Sequence, residues 1–236
     1  MKIFDLSGRV AIVTGGNGGI GLGMARGVAQ AGASIVVAAR NPEKNAAAVR
    51  ELEGLGARAV ALEVDVAEQA ACRAMVQSTL EKFGRLDILI NNAGTNIRKQ
   101  PEDYTQDEWH LILDTNLSSA FMCSQAAYPA LRDGGGGKII MIGSMMSIFG
   151  ASFTAPYAAT KGGIVQMARA LACAWAKDNI QVNSVLPGWI DTELTVRGRR
   201  DIPGLEERVA PRPAAGACPT TLPGSPPSSR ARPRTS

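Results

Sequence analysis

The sequence predicts a doubly wound α/β fold, a parallel sheet with helices on both faces. Three observations predict it. Over the first 190 residues, short β-branched runs alternate with longer helical patterns. Those strand runs are apolar throughout, as strands covered on both faces require. A glycine-rich loop also separates the first strand from the first helix.

The elements follow in order. Val10-Ala11-Ile12-Val13-Thr14 opens the sheet, and an Ala-rich helix runs from the glycines to about Ala31. Ser34 to Ala39 is the second strand, with a helix from about Pro42 to Leu55. Arg58 to Val64 is the third strand, and the helix from Glu68 to Phe83 ends at Gly84. Leu86 to Ile90 is the fourth strand. One long helix then spans Tyr104 to Leu131, stopped by the glycine run 134–137. Lys138 to Ile142, a helix from Pro156 to Lys177 and a sixth strand from Ile180 to Leu186 complete the alternation.

Composition narrows the class. At 236 residues, 45% apolar and 19% charged, the chain has room for one large domain with a buried core. No run approaches the roughly 18 apolar residues of a membrane span, and the N-terminus lacks the apolar region of a secretory signal. Cys72, Cys123, Cys173 and Cys218 follow no metal or disulfide spacing, so they read as buried thiols in a reducing, cytoplasmic setting. His110, the sole histidine, reads as a surface helix residue, and no metal is expected.

The net charge of +4 is unevenly placed. All 21 acidic residues lie at or before Glu207, beside 20 of the 25 basic ones, so the body is nearly neutral. That gives no nucleic-acid surface. Residues 208–236 hold 7 of the 13 prolines, no acid, and only Val209 and Leu222 as large apolar anchors. The expectation is a catalytic domain over 1–207 and a disordered Pro/Arg-rich tail over 208–236.

Thr14-Gly15-Gly16-Asn17-Gly18-Gly19-Ile20-Gly21 has the spacing that lets backbone approach a pyrophosphate at a helix N-terminus. No Gly-Lys-Ser/Thr follows, which argues against a nucleoside triphosphate loop. At the end of the second strand, where an acid would accept from the ribose hydroxyls of NAD, stands Arg40. A guanidinium there suits the 2′-phosphate of NADP, and NAD is the less favoured alternative. Tyr157 and Lys161, four apart, share a helix face, where a cation would favour the phenolate. Ser144 adds a hydroxyl at the same carboxyl edge of the sheet.

These residues, with Asn91-Asn92-Ala93-Gly94 after the fourth strand and Pro187-Gly188 after the sixth, resemble the short-chain dehydrogenase/reductase family. The resemblance covers roughly residues 5–205 and implies a Rossmann-type fold with nicotinamide-dependent hydride chemistry. It implies that Tyr157 exchanges a proton with the substrate oxygen, that Ser144 orients that oxygen, and that Lys161 lowers the tyrosine pKa and holds the nicotinamide ribose. Asn116 matches the position that anchors a water in the proton relay. Gly15, Asn17, Gly19, Ile20 and Gly21 would hold the pyrophosphate, and Asp65 with Val66 the adenine. Asn92, Ala93, Gly94, Pro187 and Gly188 would line the cofactor, with Ile190 and Thr192 in the loop over the nicotinamide.

Asn96-Ile97-Arg98-Lys99 and Ser144-Met145-Met146-Ser147 are similar to members acting on gluconate and related sugar acids. Arg98 and Lys99 near the pocket mouth would attract a carboxylate. Reduction of a 3-oxoacyl thioester remains an alternative. The resemblance also implies a homo-oligomer, dimer or tetramer, through the helices 104–131 and 156–177. Family members continue with a helix opening Pro-Asp-Asp/Glu-Leu where 219–224 read Pro-Thr-Thr-Leu-Pro-Gly, which bases encoding Pro-Asp-Asp-Leu-Ala-Gly give when read one position on. The expectation is a reading frame lost near 208–212, with the final strand missing and a weakly active homologue as one consequence. A genuine proline-rich interaction tail is the other reading.

Overall fold

In the computed structural model, which describes residues 4–193, 195 and 196, six strands form one parallel sheet. They are β1 (Val10–Thr14), β2 (Ser34–Ala39), β3 (Ala59–Glu63), β4 (Ile88–Asn91), β5 (Gly137–Ile142) and β6 (Ile180–Val185), in the order β3-β2-β1-β4-β5-β6. The order reverses between β1 and β4, so a crevice opens at their carboxyl ends. Ile12 of β1 pairs in register with Val36 of β2 and Leu89 of β4.

The helices are α1 (Gly19–Gln30), α2 (Pro42–Gly54), α3 (Gln69–Phe83), α4 (Gln106–Leu113), α5 (Ser119–Asp133) and α6 (Ala155–Trp175). Side chains alternate between two cores, because successive strand residues point to opposite faces. Ile12, Val36, Leu89, Ile139 and Met141 pack with Met75 of α3, Leu131 of α5 and Ile164 of α6. Ala11, Val13, Ile35, Val37 and Ile90 pack with Ala25 and Ala29 of α1 and Leu52 of α2. Each fully buried Ile or Leu contributes about 1.5–3 kcal/mol.

Local signals set the ends. Asn41 Oδ1 accepts from Lys44 N at 2.9 Å to cap α2, which has Pro42 at its first position. Gly84, at φ +75°, ends α3 in the left-handed conformation. At α4, Thr105 Oγ1 accepts from Glu108 N while Glu108 Oε2 accepts from Thr105 N.

Three expectations need correction. The long helix 104–131 is two helices, α4 and α5, joined by one π-helical turn at Asp114–Ser118, and it runs on to Asp133. β4 starts later than expected because the Asp87 carboxylate, rather than a ladder carbonyl, accepts from Val10 N at 2.9 Å. β6 is not apolar throughout: Ile180 and Val182 are buried, whereas Gln181 and Asn183 are exposed and Val185 is 43% exposed.

Cys72 and Cys123 are buried with their Sγ atoms 3.4 Å apart, but Cys173 is exposed, off the Ile164/Ala168/Leu171 stripe of α6. His110 lies on α4 with Nε2 3.1 Å from Gln106 Nε2. Among the described residues no helix is long and apolar enough to cross a membrane. No group of three or more His, Cys, Asp or Glu among them is placed to hold a metal ion. The tail 208–236, the proposed frame loss and the position of a seventh strand lie outside the described residues.

Candidate active site

The crevice at the switch point is a cavity of about 480 Å³, within the range of small-molecule and cofactor sites. Its floor comes from the glycine loop: Gly15, Asn17, Gly19 and Ile20 line it, followed by α1. Gly18 caps α1 without a side-chain hydrogen bond, and no acid stands in the first turn. The amide groups at this helix start are therefore suited to an anion such as a pyrophosphate. Arg40, Asp65 and Val66 line one end, and Asn92, Ala93 and Gly94 the middle. Tyr157, Lys161, Pro187, Gly188, Ile190 and Thr192 line the other side.

Gly21 differs from the expectation, since it does not line the cavity. A Cβ there would collide with the Gly15 carbonyl oxygen and Asn92 Nδ2. Its role is to let α1 press against the loop after β4. The same loops are stitched by Thr14. Its Oγ1 accepts from the backbone of Asn92 and Ala93 at 3.0 and 3.1 Å, while Asn92 Nδ2 donates to Thr14 O and Gly15 O.

The catalytic candidates converge from two elements. Ser144 follows β5, and Tyr157 and Lys161 lie on α6. Ser144 Oγ accepts from Met146 N at 3.1 Å, and its hydroxyl favours the phenolate of Tyr157. Lys161 is buried, and its Nζ donates to Ile142 O at 2.7 Å. Burial pulls the Lys161 pKa down to about 8.

Burial also pushes the Tyr157 phenol up, against the Ser144 hydroxyl and the positive charge of Arg98, which lower it. Lys161, expected to draw the tyrosine down, stands on the same face of α6. Its ammonium sits 5.6 Å from the Tyr157 ring centroid and is turned to the Ile142 carbonyl.

Asn116 is placed by the π turn and is buried. Its Oδ1 accepts from Thr95 N at 2.7 Å, and its Nδ2 donates to Thr95 O and Thr160 Oγ1. It does not itself line the cavity but lies behind Gly94, whose hypothetical Cβ would stand 3.2 Å from Asn116 Oδ1 and 3.7 Å from Lys161 Nζ.

A smaller cavity adjoins the first. Arg98, Met145, Met146, Phe153 and Trp189 line it, and Ser144, Tyr157 and Gly188 line both cavities. Lys99 does not share the position of Arg98. Its Nζ is held by Glu108 Oε1 at 2.5 Å, so the adjacent cation faces α4 instead.

Several positioning residues escaped the sequence reading. Asn45 is buried, accepts from Asn17 Nδ2 at 2.7 Å and donates to Ala39 O at 2.7 Å, tying the glycine loop to the end of β2. Its signal was its place on the Ala48/Leu52 face of α2. Ser147 Oγ donates to Lys161 O and accepts from Ser144 N, which holds the Ser144 turn against α6. Tyr104 donates its hydroxyl to Ile97 O at 2.6 Å and fixes the loop that carries Arg98.

Fold and cavity together define a doubly wound protein with a crevice at the switch point of its sheet and a Ser-Tyr-Lys set lining it. The short chain dehydrogenase family model matches residues 9–202, and the chain belongs to this family. A tropinone reductase homolog of Arabidopsis thaliana is 39% identical over 82% of this chain and 74% of its own length. The 2-dehydro-3-deoxy-D-gluconate 5-dehydrogenase of Escherichia coli (strain K12) is 37% identical over 85% of this chain and 79% of its own. Among solved structures, a putative NAD(P) dependent gluconate 5-dehydrogenase from Beutenbergia cavernae, with bound NADP, has a TM-score of 0.81 at 34% identity. That match covers 86% of this chain and 81% of the other.

Proposed function

We propose that the chain is an NADP(H)-linked oxidoreductase acting on the secondary alcohol or ketone of a sugar acid of the gluconate class. The observation that carries this is Tyr157, whose side chain lines both cavities and so stands between the cofactor crevice and a substrate space. The dinucleotide, when bound, supplies the hydride chemistry. Tyr157 holds the proton that the substrate oxygen gains or loses, and Ser144 orients that oxygen. Lys161 steadies the Tyr157 side of the crevice, and Asn116 braces the Thr95 backbone beside it.

Arg98 supports an acidic substrate, because it lines the smaller cavity close enough to act on Tyr157 electrostatically. Arg40 at the end of β2 supports NADP over NAD. Leu111 and Phe121, exposed on α4 and α5, support association as a dimer or tetramer. The reduced thiols of Cys72 and Cys123 support a cytoplasmic setting.

The test is turnover with NADP⁺ or NADPH on gluconate-type acids, their keto forms and a 3-oxoacyl thioester, in the parent and Arg98→Gln chains. We expect turnover of the sugar acid, weakened by the substitution mainly through KM. Faster reduction of the thioester, unaffected by Arg98→Gln, would overturn the substrate reading.

A further inference from the structure

Lys44 lies in the first turn of α2 and lines the large cavity beside Arg40 and Asn41. Its ammonium donates to both carboxylate oxygens of Glu193, at 2.8 and 2.7 Å, across 149 positions of sequence. Arg40 stands opposite Asp65, Nη1 to Oδ2 3.6 Å. The end of the crevice next to β2 thus holds two cations, each facing a carboxylate. Both pairs are open to solvent: Lys44 is 48% and Glu193 74% exposed. Exposed ion pairs of this kind are weak and exchange partners readily.

A ribose 2′-phosphate would enter between these groups, with more negative charge than a carboxylate and three acceptor oxygens. It is the stronger partner for both cations.

We propose that Lys44 is a second specificity-determining residue for the phosphorylated dinucleotide. Arg40 and Lys44 hold the 2′-phosphate together, and Glu193 is the anion that keeps Lys44 when the dinucleotide lacks that phosphate. This rests on the NADP reading above and adds to it a residue and a competitor. It also gives the preference a reach beyond the adenosine end. Glu193 follows Thr192, which packs over the glycine loop: a Cβ on Gly19 would lie 3.3 Å from Thr192 Cγ2. The exchange of Lys44 from carboxylate to phosphate is therefore felt by the segment that covers the crevice.

The experiment measures dissociation constants for NADPH, NADH, adenosine 2′,5′-bisphosphate and 5′-AMP, by fluorescence titration or calorimetry at fixed low salt. Lys44→Met is expected to weaken NADPH and the bisphosphate about tenfold and to leave NADH and 5′-AMP within about twofold. Lys44→Arg should restore most of the loss. Glu193→Gln, which removes the competitor, should tighten NADPH by about threefold and leave NADH unchanged.

Equal weakening of NADPH and NADH by Lys44→Met would overturn the inference, leaving Lys44 as a structural fastener. An unchanged NADPH-to-NADH ratio in a parent that prefers NADPH would overturn it while sparing the NADP reading. A parent that binds NADH more tightly, with no response to Arg40→Asp, would remove the NADP reading and this inference with it.

Discussion

Lys161 on α6 and Ile142 at the end of β5 are joined by a 2.7 Å hydrogen bond from the buried ammonium to the backbone carbonyl. One bond thereby fixes the helix that carries Tyr157 against the strand that leads to Ser144. It places a buried cation against the cavity wall, with titration consequences.

Burial holds Lys161 at about 8, against an ordinary value of 10.5. Below about pH 8 both folded and unfolded chains carry this proton, and the folded chain bears the full cost of burying it. Between about 8 and 10.5 the unfolded chain binds more protons than the folded one, so stability from this residue rises with pH. Lys161→Met abolishes the effect. Urea denaturation should show the parent gaining about 3 kcal/mol relative to this variant from pH 7 to pH 10.5. A difference that stays flat across that window would count against the buried ammonium.

Tyr157→Phe removes the proton carrier and keeps the ring. Turnover should fall by about 10²–10⁴-fold on any substrate the parent accepts. NADPH binding should stay within about twofold, because the phenol oxygen is the only atom lost. Steady-state rates and a titration on the same preparation check both halves, and retained turnover would remove Tyr157 from its role.

The fold was legible because the strand runs carry β-branched residues and most breaks carry a Gly, Pro or Asn, as at Gly84 and Asn41-Pro42. Less legible was what one extra residue does inside a helix. Asp114 to Ser118 read as ordinary helix, yet the π turn there is what turns Asn116 inward to Thr95. Arg98 and Lys99 are neighbours with the same charge and received the same reading. Glu108, fixed by its own capping contact with Thr105, takes Lys99 and leaves Arg98 at the cavity. Pairs such as Lys44 and Glu193 depend on which loops meet across the crevice, and no local pattern encodes that.

Gly21→Ala tests whether loop packing, rather than direct lining, is what that glycine provides. The added methyl meets the Gly15 carbonyl and the Asn92 amide, so the two loops must part. We expect a loss of about 1–3 kcal/mol in stability, as for other overpacked sites. NADPH and NADH should weaken together, since both need the same floor. An intact melting temperature with selective loss of one dinucleotide would contradict the packing role.

The last prediction concerns Asp87, whose carboxylate is 8% exposed and accepts from Arg9, Arg85 and Val10 N. Burial pushes its pKa up, but the two guanidiniums and the Val10 amide outweigh that and hold it below the ordinary 3.8. A depressed carboxylate stabilises the fold above its unfolded pKa, and that stability is lost as pH falls through the folded value. Both arginines are about half exposed, so solvent screens much of the charge and the hydrogen bonds carry most of the effect. Asp87→Asn keeps an acceptor for Val10 N but loses the ionic partner of both guanidiniums. At pH 7 the variant should be about 2 kcal/mol less stable by urea denaturation. The gap should close as the pH drops below about 4, where the carboxylate takes a proton first in the unfolded chain and then, at lower pH, in the folded one. A gap of the same size at pH 7 and at about pH 3 would mean that shape, and not charge, makes Asp87 the tie between β1 and β4.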